Sequence, residues 1–237
     1  FYKIQFISNN IVDEKKNKIT EIKFTTIKNI FKNILLDKDF NYFKRNLNED
    51  LINTFIKSII INDEKIINNN YYSKIKINYD KSKIIKYLRN NKISYVEYLP
   101  DNLLTIIYEN NNLSKNLLSS NNTHYIFLSQ NDEYNFFKIP NLDINDRFLL
   151  NIKDVDNRNI IKINKFLKKY IKGEALFIIS QEVDNQILYN VYLYYNNEFH
   201  LIDDFKISSY NFNKIFNVIY PKAIDAWKIH NNIDNKV

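Results

Sequence analysis

Tyr2, Ile4 and Phe6 alternate with Lys3 and Gln5, the two-residue period of a half-buried strand. The stretch after it reads as a polar loop. Ile27, Ile30, Phe31, Ile34 and Leu35 then recur at helical spacing and predict a helix over residues 19–36. Residues 37–48 read as a polar break, with Asn48 suited to cap a second helix whose apolar stripe is Ile52, Phe55, Ile56 and Ile59. Over 58–79 the period returns to two: Tyr71, Ser73, Ile75, Ile77 and Tyr79 oppose Tyr72, Lys74, Lys76 and Asn78. Asn68-Asn69-Asn70 supplies turn chemistry, so a hairpin is predicted with 58–67 as its first strand. Asp80 or Ser82 should start a short helix with Ile84, Ile85 and Leu88 inward, followed by an extended piece over 93–98 that Pro100 ends.

Leu103–Tyr108 is a short apolar strand, and 109–123 is an Asn/Ser-rich surface loop. Residues 124–128 and 134–139 read as short extended pieces. Ile160, Ile163, Leu167 and Tyr170 mark a helix for which Gly173 is the expected residue just past the end. Three strands follow: 175–180, apolar throughout as a central strand would be, then 186–195 and 198–207 joined by an Asn196-Asn197 turn. The last helix covers 211–230, with a kink or break expected at Pro221. The fold class is therefore α+β, with two small domains, each a mixed or antiparallel sheet packed with helices. The boundary falls near residue 100, giving domains over 1–100 and 101–237.

Composition narrows the chemistry. One glycine in 237 residues, Gly173, leaves no room for a Walker loop, a dinucleotide fingerprint or a nucleophile elbow. No cysteine removes thiol nucleophiles, zinc ribbons, iron–sulfur sites and disulfides. The excess of Ile, Lys, Asn and Tyr is what AT-rich codons produce. The formal charge of +7 suits an anionic partner or simply a lysine-rich solvated surface. The densest basic cluster, Lys15, Lys16 and Lys18, is short, and arginine is confined to Arg45, Arg89, Arg147 and Arg158. No run approaches the ~20 apolar residues of a membrane span. A chain that starts at Phe1 and holds no Met reads as trimmed, by removal of a signal sequence or at a chosen boundary.

His124, His200 and His230 lie at no metal-ligating spacing and read as exposed or locally bonded, His200 opposite in facing to Phe199 and Leu201. Acidic groups fall at Asp63-Glu64, Asp132-Glu133, Asp143/Asp146, Asp154/Asp156 and Asp203-Asp204; pairs of these could serve as acid and base or hold a hard cation. Residues 141–146 alternate oxygen-bearing side chains but lack the glycine and closing glutamate of a calcium loop, so helix capping by Asp143 or Asp146 is the expectation. The aromatic residues and Trp227 read as core. Asn112-Leu113-Ser114 and Asn121-Asn122-Thr123 are formal glycosylation sequons. No catalytic, cofactor-binding or metal-ligating residue is assigned, and no cofactor is expected.

One stretch carries a likeness: Tyr71-Tyr72 leading an alternating strand, Ile84-Ile85-Lys86-Tyr87-Leu88-Arg89, Ile93-Ser94-Tyr95 and Leu103-Leu104-Thr105-Ile106-Ile107. It continues through Ile139-Pro140-Asn141-Leu142-Asp143-Ile144-Asn145-Asp146, Phe166–Tyr170 and Ala226-Trp227-Lys228. This resembles a family of exported alphaproteobacterial proteins known as a domain of unknown function, DUF2066. Its pattern is a Tyr-led strand, a V-x-x-L-L-R helix, a G-V-x-Y strand, a V-L-V-L-P strand, an L-P-L-G-D-x-x-D turn, an L-A-x-x-Y-G-A helix end and a closing x-W-K. The family glycines give way here to polar residues around Asn145, to Lys92 and to Ile171, and a Trp-rich segment is missing. The resemblance implies export to the periplasm and an α+β fold, with no established activity. The first expectation is a non-enzymatic envelope protein that binds another envelope protein through an exposed apolar patch or free sheet edge. A basic nucleic-acid-associated protein would instead gather Lys and aromatic side chains on one face. A carboxylate-dependent hydrolase would bring two acidic groups into one pocket.

Overall fold

The computed structural model describes residues 1–111 and 114–233. The chain forms two compact units, Phe1–Leu99 with Lys228–Val237, and Pro100–Trp227. Both are sheets packed with helices, an α+β architecture.

The first unit runs β1 (Tyr2–Ile7), α1 (Ile11–Ile34), α2 (Asp37–Asn46), α3 (Glu49–Phe55), β2 (Ile56–Ile67), β3 (Asn70–Tyr79) and α4 (Lys81–Asn90). The antiparallel sheet has the order β1-β3-β2. At the β2–β3 turn Asn68 and Asn69 both take positive φ, 47° and 61°, the geometry a tight hairpin requires. Asn48 and Asp80 cap α3 and α4 as expected. Two polar stretches differ from the reading of the sequence. Residues 11–18 are the first turns of α1, capped by Asn10, and 37–46 form α2. Each shows few apolar residues, but Phe43 of α2 stacks on Phe31 with ring centroids 3.7 Å apart. Tertiary burial of one ring holds a helix that its own stripe does not announce. Residues 93–98 are not a strand: Tyr95 makes isolated bridges to Leu35 and Ile233. One face of the sheet, with Ile4, Tyr71 and Ile75 at its centre, packs on Ile11, Ile19 and Ile22 of α1. Lys228 is buried and donates to the carbonyls of Lys32 and Leu35 at 2.7 and 2.8 Å, closing the end of α1.

The second unit runs β4 (Leu103–Asn110), β5 (Lys115–Asn116), α5 (Thr123–Ser129), a 3-10 turn over Asp132–Tyr134, and β6 (Phe137–Lys138). Then come α6 (Ile144–Leu149), α7 (Ile152–Asp156), α8 (Ile160–Lys169), β7 (Ala175–Val183), β8 (Gln186–Tyr195), β9 (Glu198–Ile207) and α9 (Phe212–Asn231). The sheet order is β5-β4-β7-β8-β9, with β6 beside β4; β4 and β7 are parallel and β7-β8-β9 antiparallel. One sheet face packs on Leu150, Val155, Ile163, Phe166 and Leu167 of the α6–α8 region. The other carries α5 and the rings of α9, where Phe127 stacks on Phe212 and Phe216. Burial on both faces explains why the first half of β7 is apolar throughout and why β4 carries Leu103, Leu104, Ile106, Ile107 and Tyr108. Residues 124–128, expected as extended, are helical because Asn122 caps them, accepting from the His124 and Tyr125 amides. The α9 helix continues through Pro221 rather than breaking there.

Gly173 does not end α8. The residue past the C-cap is Ile171, at φ 54°, and the Lys172 amide reaches back to the Leu167 carbonyl at 3.2 Å. Eleven non-glycine residues hold positive φ among those described, seven of them Asn or Asp. In this chain Asn and Asp take the backbone positions that glycine usually fills.

Candidate functional site

The most concentrated polar chemistry lies inside the second unit, in a row across its sheet. Glu109 of β4 is in register with Ser180 of β7, Ser180 with Tyr189 of β8, and Tyr189 with Phe205 of β9. Such a row is the natural product of a two-residue period repeated in four strands. His124 from α5 sits over it, its Nε2 and the Tyr189 hydroxyl 2.7 Å apart. The imidazole is fully buried, ringed by Tyr189, Tyr210, Phe212 and Phe216. Burial lowers its pKa to about 3, so it is neutral at physiological pH. Burial likewise raises the Tyr189 phenol far above its ordinary value and that of Tyr210 to about 12. Glu109 is buried too and accepts from the Thr123 amide at 3.2 Å and the Thr123 hydroxyl at 2.7 Å. Two atoms of the row have no hydrogen-bond partner, His124 Nδ1 and Ser180 Oγ.

A glutamate and a serine on the parallel strands β4 and β7, with a tyrosine from the antiparallel β8 and a histidine from α5, are residue types that perform acid–base work. Here every member is sealed from solvent, and an imidazole with a pKa near 3 is a poor base at neutral pH. The row is packing with polar atoms in it. The same region closes one side of β4: the Ile107 amide donates to the Tyr125 hydroxyl at 2.8 Å, and the Asn122 amide group donates to the Ile107 carbonyl at 3.2 Å. Side chains thereby satisfy backbone groups that a neighbouring strand would otherwise take.

The open surfaces lie elsewhere. β2 ends the first sheet and β9 ends the second, each with a strand on one side alone. β2 exposes Ile59, Ile60, Ile66 and Ile67. It carries a bulge at Asp63-Glu64, where Asp63 has φ 55°. β9 is interrupted opposite Val191/Tyr192 and bears Asp203 and Asp204. The face of the first sheet turned away from α1 is uncovered and presents Lys3, Lys65, Lys74 and Lys76.

The acidic groups singled out in the sequence are scattered among separate tasks. Asp63 pairs with Lys74, and Glu64 with Lys15, both at 2.7 Å. These contacts hold both carboxyls below their usual range, chiefly through the lysine hydrogen bond. Asp143 caps α6, as expected, by accepting from the Asp146 amide at 2.8 Å. Asp146 is buried and held by Lys169 at 2.6 Å and the Tyr170 hydroxyl at 2.5 Å, which leaves that carboxylate already engaged. Asp154 completes a capping box with Asn151, and Asp203 lies 4.0 Å from Lys222. Among the described residues no three of His, Asp and Glu gather as a metal site. His200 stacks on Tyr195 with centroids 3.9 Å apart; His230 lies near the end of α9. His124 is neither exposed nor locally bonded, since its partner lies 65 residues away. Trp227 is buried, as expected, and donates to Glu174 at 2.8 Å. Asn112 and Leu113 of the first sequon lie outside the described residues; in the second, the acceptor Asn121 is exposed and the middle residue Asn122 is buried.

A cavity of about 460 Å³ in the first unit is lined by Ile30, Ile34, Ile77, Ile84 and Ile85, with Lys81 and Glu97 also on its wall. Another of about 650 Å³ in the second unit carries Lys115, Arg147 and Lys153. Neither is lined by a histidine or by a pair of carboxylates. Among the described residues, no helix is long and apolar enough to cross a membrane.

No known protein family matches the chain, and no curated protein does. Among solved structures, the C-terminal domain of LpoB from Salmonella enterica is similar over 52% of this chain and 90% of that domain, at 13% identity and a TM-score of 0.30.

Proposed function

We propose that this chain is an exported, periplasmic envelope protein that binds another protein by strand addition and has no bond-making chemistry of its own. The observation that carries the reading is β2, a twelve-residue strand whose outer side has no neighbour and whose first half shows Ile59 and Ile60 to solvent. An exposed apolar edge either aggregates or receives a partner strand. The Asp63-Glu64 bulge and its charges protect the far half, so the segment Ser58–Asn62, in unbroken register between that bulge and the one at Lys57, is the docking strip. Export is supported by the family resemblance. At two of the positions where that family carries glycine, Lys92 and Ile171 both take φ of 54°. The closing Trp227-Lys228 pair is buried and hydrogen-bonded.

A photo-crosslinking residue placed at Lys57 or Ile59 tests the strand-addition reading. It should capture one partner from an envelope fraction, while the same probe at Asp204 of β9 captures none. Equal capture from both strands, or competition by a peptide unrelated to β2 as effective as one of β2 sequence, would sink it. The nucleic-acid reading draws on the four lysines of the open face, but among the described residues the rings beside them are the half-buried Tyr72 and Phe1, which Lys76 already covers, and no arginine joins them. For the hydrolase reading, neither of the two cavities described above has two of the acidic groups on its wall.

A further inference from the structure

We propose that the uncovered face of the β1-β3-β2 sheet binds the surface of an anionic phospholipid bilayer, with its lysines on headgroup phosphates and Ile7 and Ile67 entering the interface. The inference is independent of strand addition, since it concerns the face of the sheet rather than its edge.

Register defines the face. Lys3 is directly opposite Lys74, Gln5 opposite Tyr72 and Ile7 opposite Asn70; on the other side Ile60 faces Lys76, Asn62 faces Lys74, Lys65 faces Tyr72 and Ile67 faces Asn70. All of these share one side of the pleat, the side away from α1. Lys3, Lys65, Lys74 and Lys76 are exposed. Among the described residues, Asp63 pairs with Lys74, and Lys76 lies over the Phe1 ring. Like charges directly opposite in a sheet cost stability, and Lys3 against Lys74 is such a pair. Asp63 offsets part of that cost; a bound anionic surface would offset the rest.

The lysines do not stand alone. At one end of the face Ile7 and Ile67 flank Asn70, 75% and 57% exposed. Two bare isoleucines beside a lysine belt form an amphipathic surface of the kind that lies in a membrane interface. Three strands make a surface about 10 Å wide with no groove. A bilayer is a flat, continuous anionic plane and needs no match of spacing. A single nucleic-acid strand gains affinity from stacking its bases on rings, and this face offers the half-buried Tyr72 and, at its edge, Phe1, over whose ring Lys76 already lies. Near an anionic surface each lysine is worth about a fivefold factor in partitioning at low salt.

The test is co-sedimentation of the full chain with phosphatidylglycerol-rich vesicles and with pure phosphatidylcholine vesicles, at low and high salt, beside anisotropy with a labelled poly-dT oligonucleotide. The protein should bind the anionic vesicles, release in high salt and ignore the neutral ones. The Lys3→Glu/Lys76→Glu variant should lose more than about tenfold in partitioning. Ile67→Ser should lose a few-fold while keeping the salt dependence. Both changes fall at exposed positions, and near-UV circular dichroism verifies the fold. Equal binding to neutral vesicles, no binding, or anionic binding unchanged in the lysine variant overturns the proposal. So does tighter binding to poly-dT that the same lysines control, which would reassign the face to nucleic acid.

Discussion

The two sheets solve the same problem in opposite ways. In the second unit the central strands are covered on both faces, and Glu109, Ser180 and Tyr189 are shut inside with His124 of α5. In the first, a three-stranded sheet is covered on one face and leaves its lysines in water. Burial turns polar groups into structural liabilities that need partners, whereas exposure leaves them available for binding. The row with the richest chemical inventory is therefore the one least able to act. The surface of plain lysines and isoleucines is the one a partner can reach.

The largest test of that contrast is acid. Unfolded, His124 protonates near 6.5; folded, its pKa is about 3. The stability this difference provides is whole above pH 6.5 and is lost as the pH falls toward 3. Roughly 3 kcal/mol should be gone by about pH 4, read from chemical denaturation across the range. A His124→Gln variant should flatten that slope. A slope unchanged in the variant would mean the imidazole is not sealed. Asp63, Glu64 and Asp143 also lose stabilising charge in acid, in the same direction, but they are exposed and screened.

Next in size is Lys228. Replacing it by Met leaves the Lys32 and Leu35 carbonyls without their donor and should cost about 2 kcal/mol in urea melts. A loss below a few tenths would show that water satisfies those carbonyls. Smaller and of opposite sign is Ile171→Gly: a β-branched side chain, 93% exposed and held at φ 54°, contributes strain and no packing. Its removal should raise stability by about 1 kcal/mol. The smallest effect is Ser180→Ala, which deletes a buried hydroxyl that has no partner. Thermal melts should show no loss and up to about 1 kcal/mol of gain. A clear loss there would reveal a hydrogen bond from Ser180 and weaken the description of the row as inert packing.

Much of the architecture was legible in the chain. The period-two runs of β3 and β8, the Asn-Asn hairpins and the caps at Asn48, Asp80 and Asp143 depend on residues within a few positions of one another. α2 was not legible, because Phe43 acts through Phe31 on another helix; α5 has a local cap, Asn122, but it stands inside an Asn/Ser-rich run that reads as loop, and its seven residues are too few to show a helical period. Nor could spacing show that His124 meets Tyr189.

Local order, composition and the absence of cysteine follow from the sequence by itself, since propensity, turn chemistry and missing functional groups are properties of neighbours. Tertiary structure alone decided which polar residues are sealed and which face water. Burial is a property of the whole packed unit, and a lysine on an open sheet and a histidine under a helix look equally polar when read along the chain.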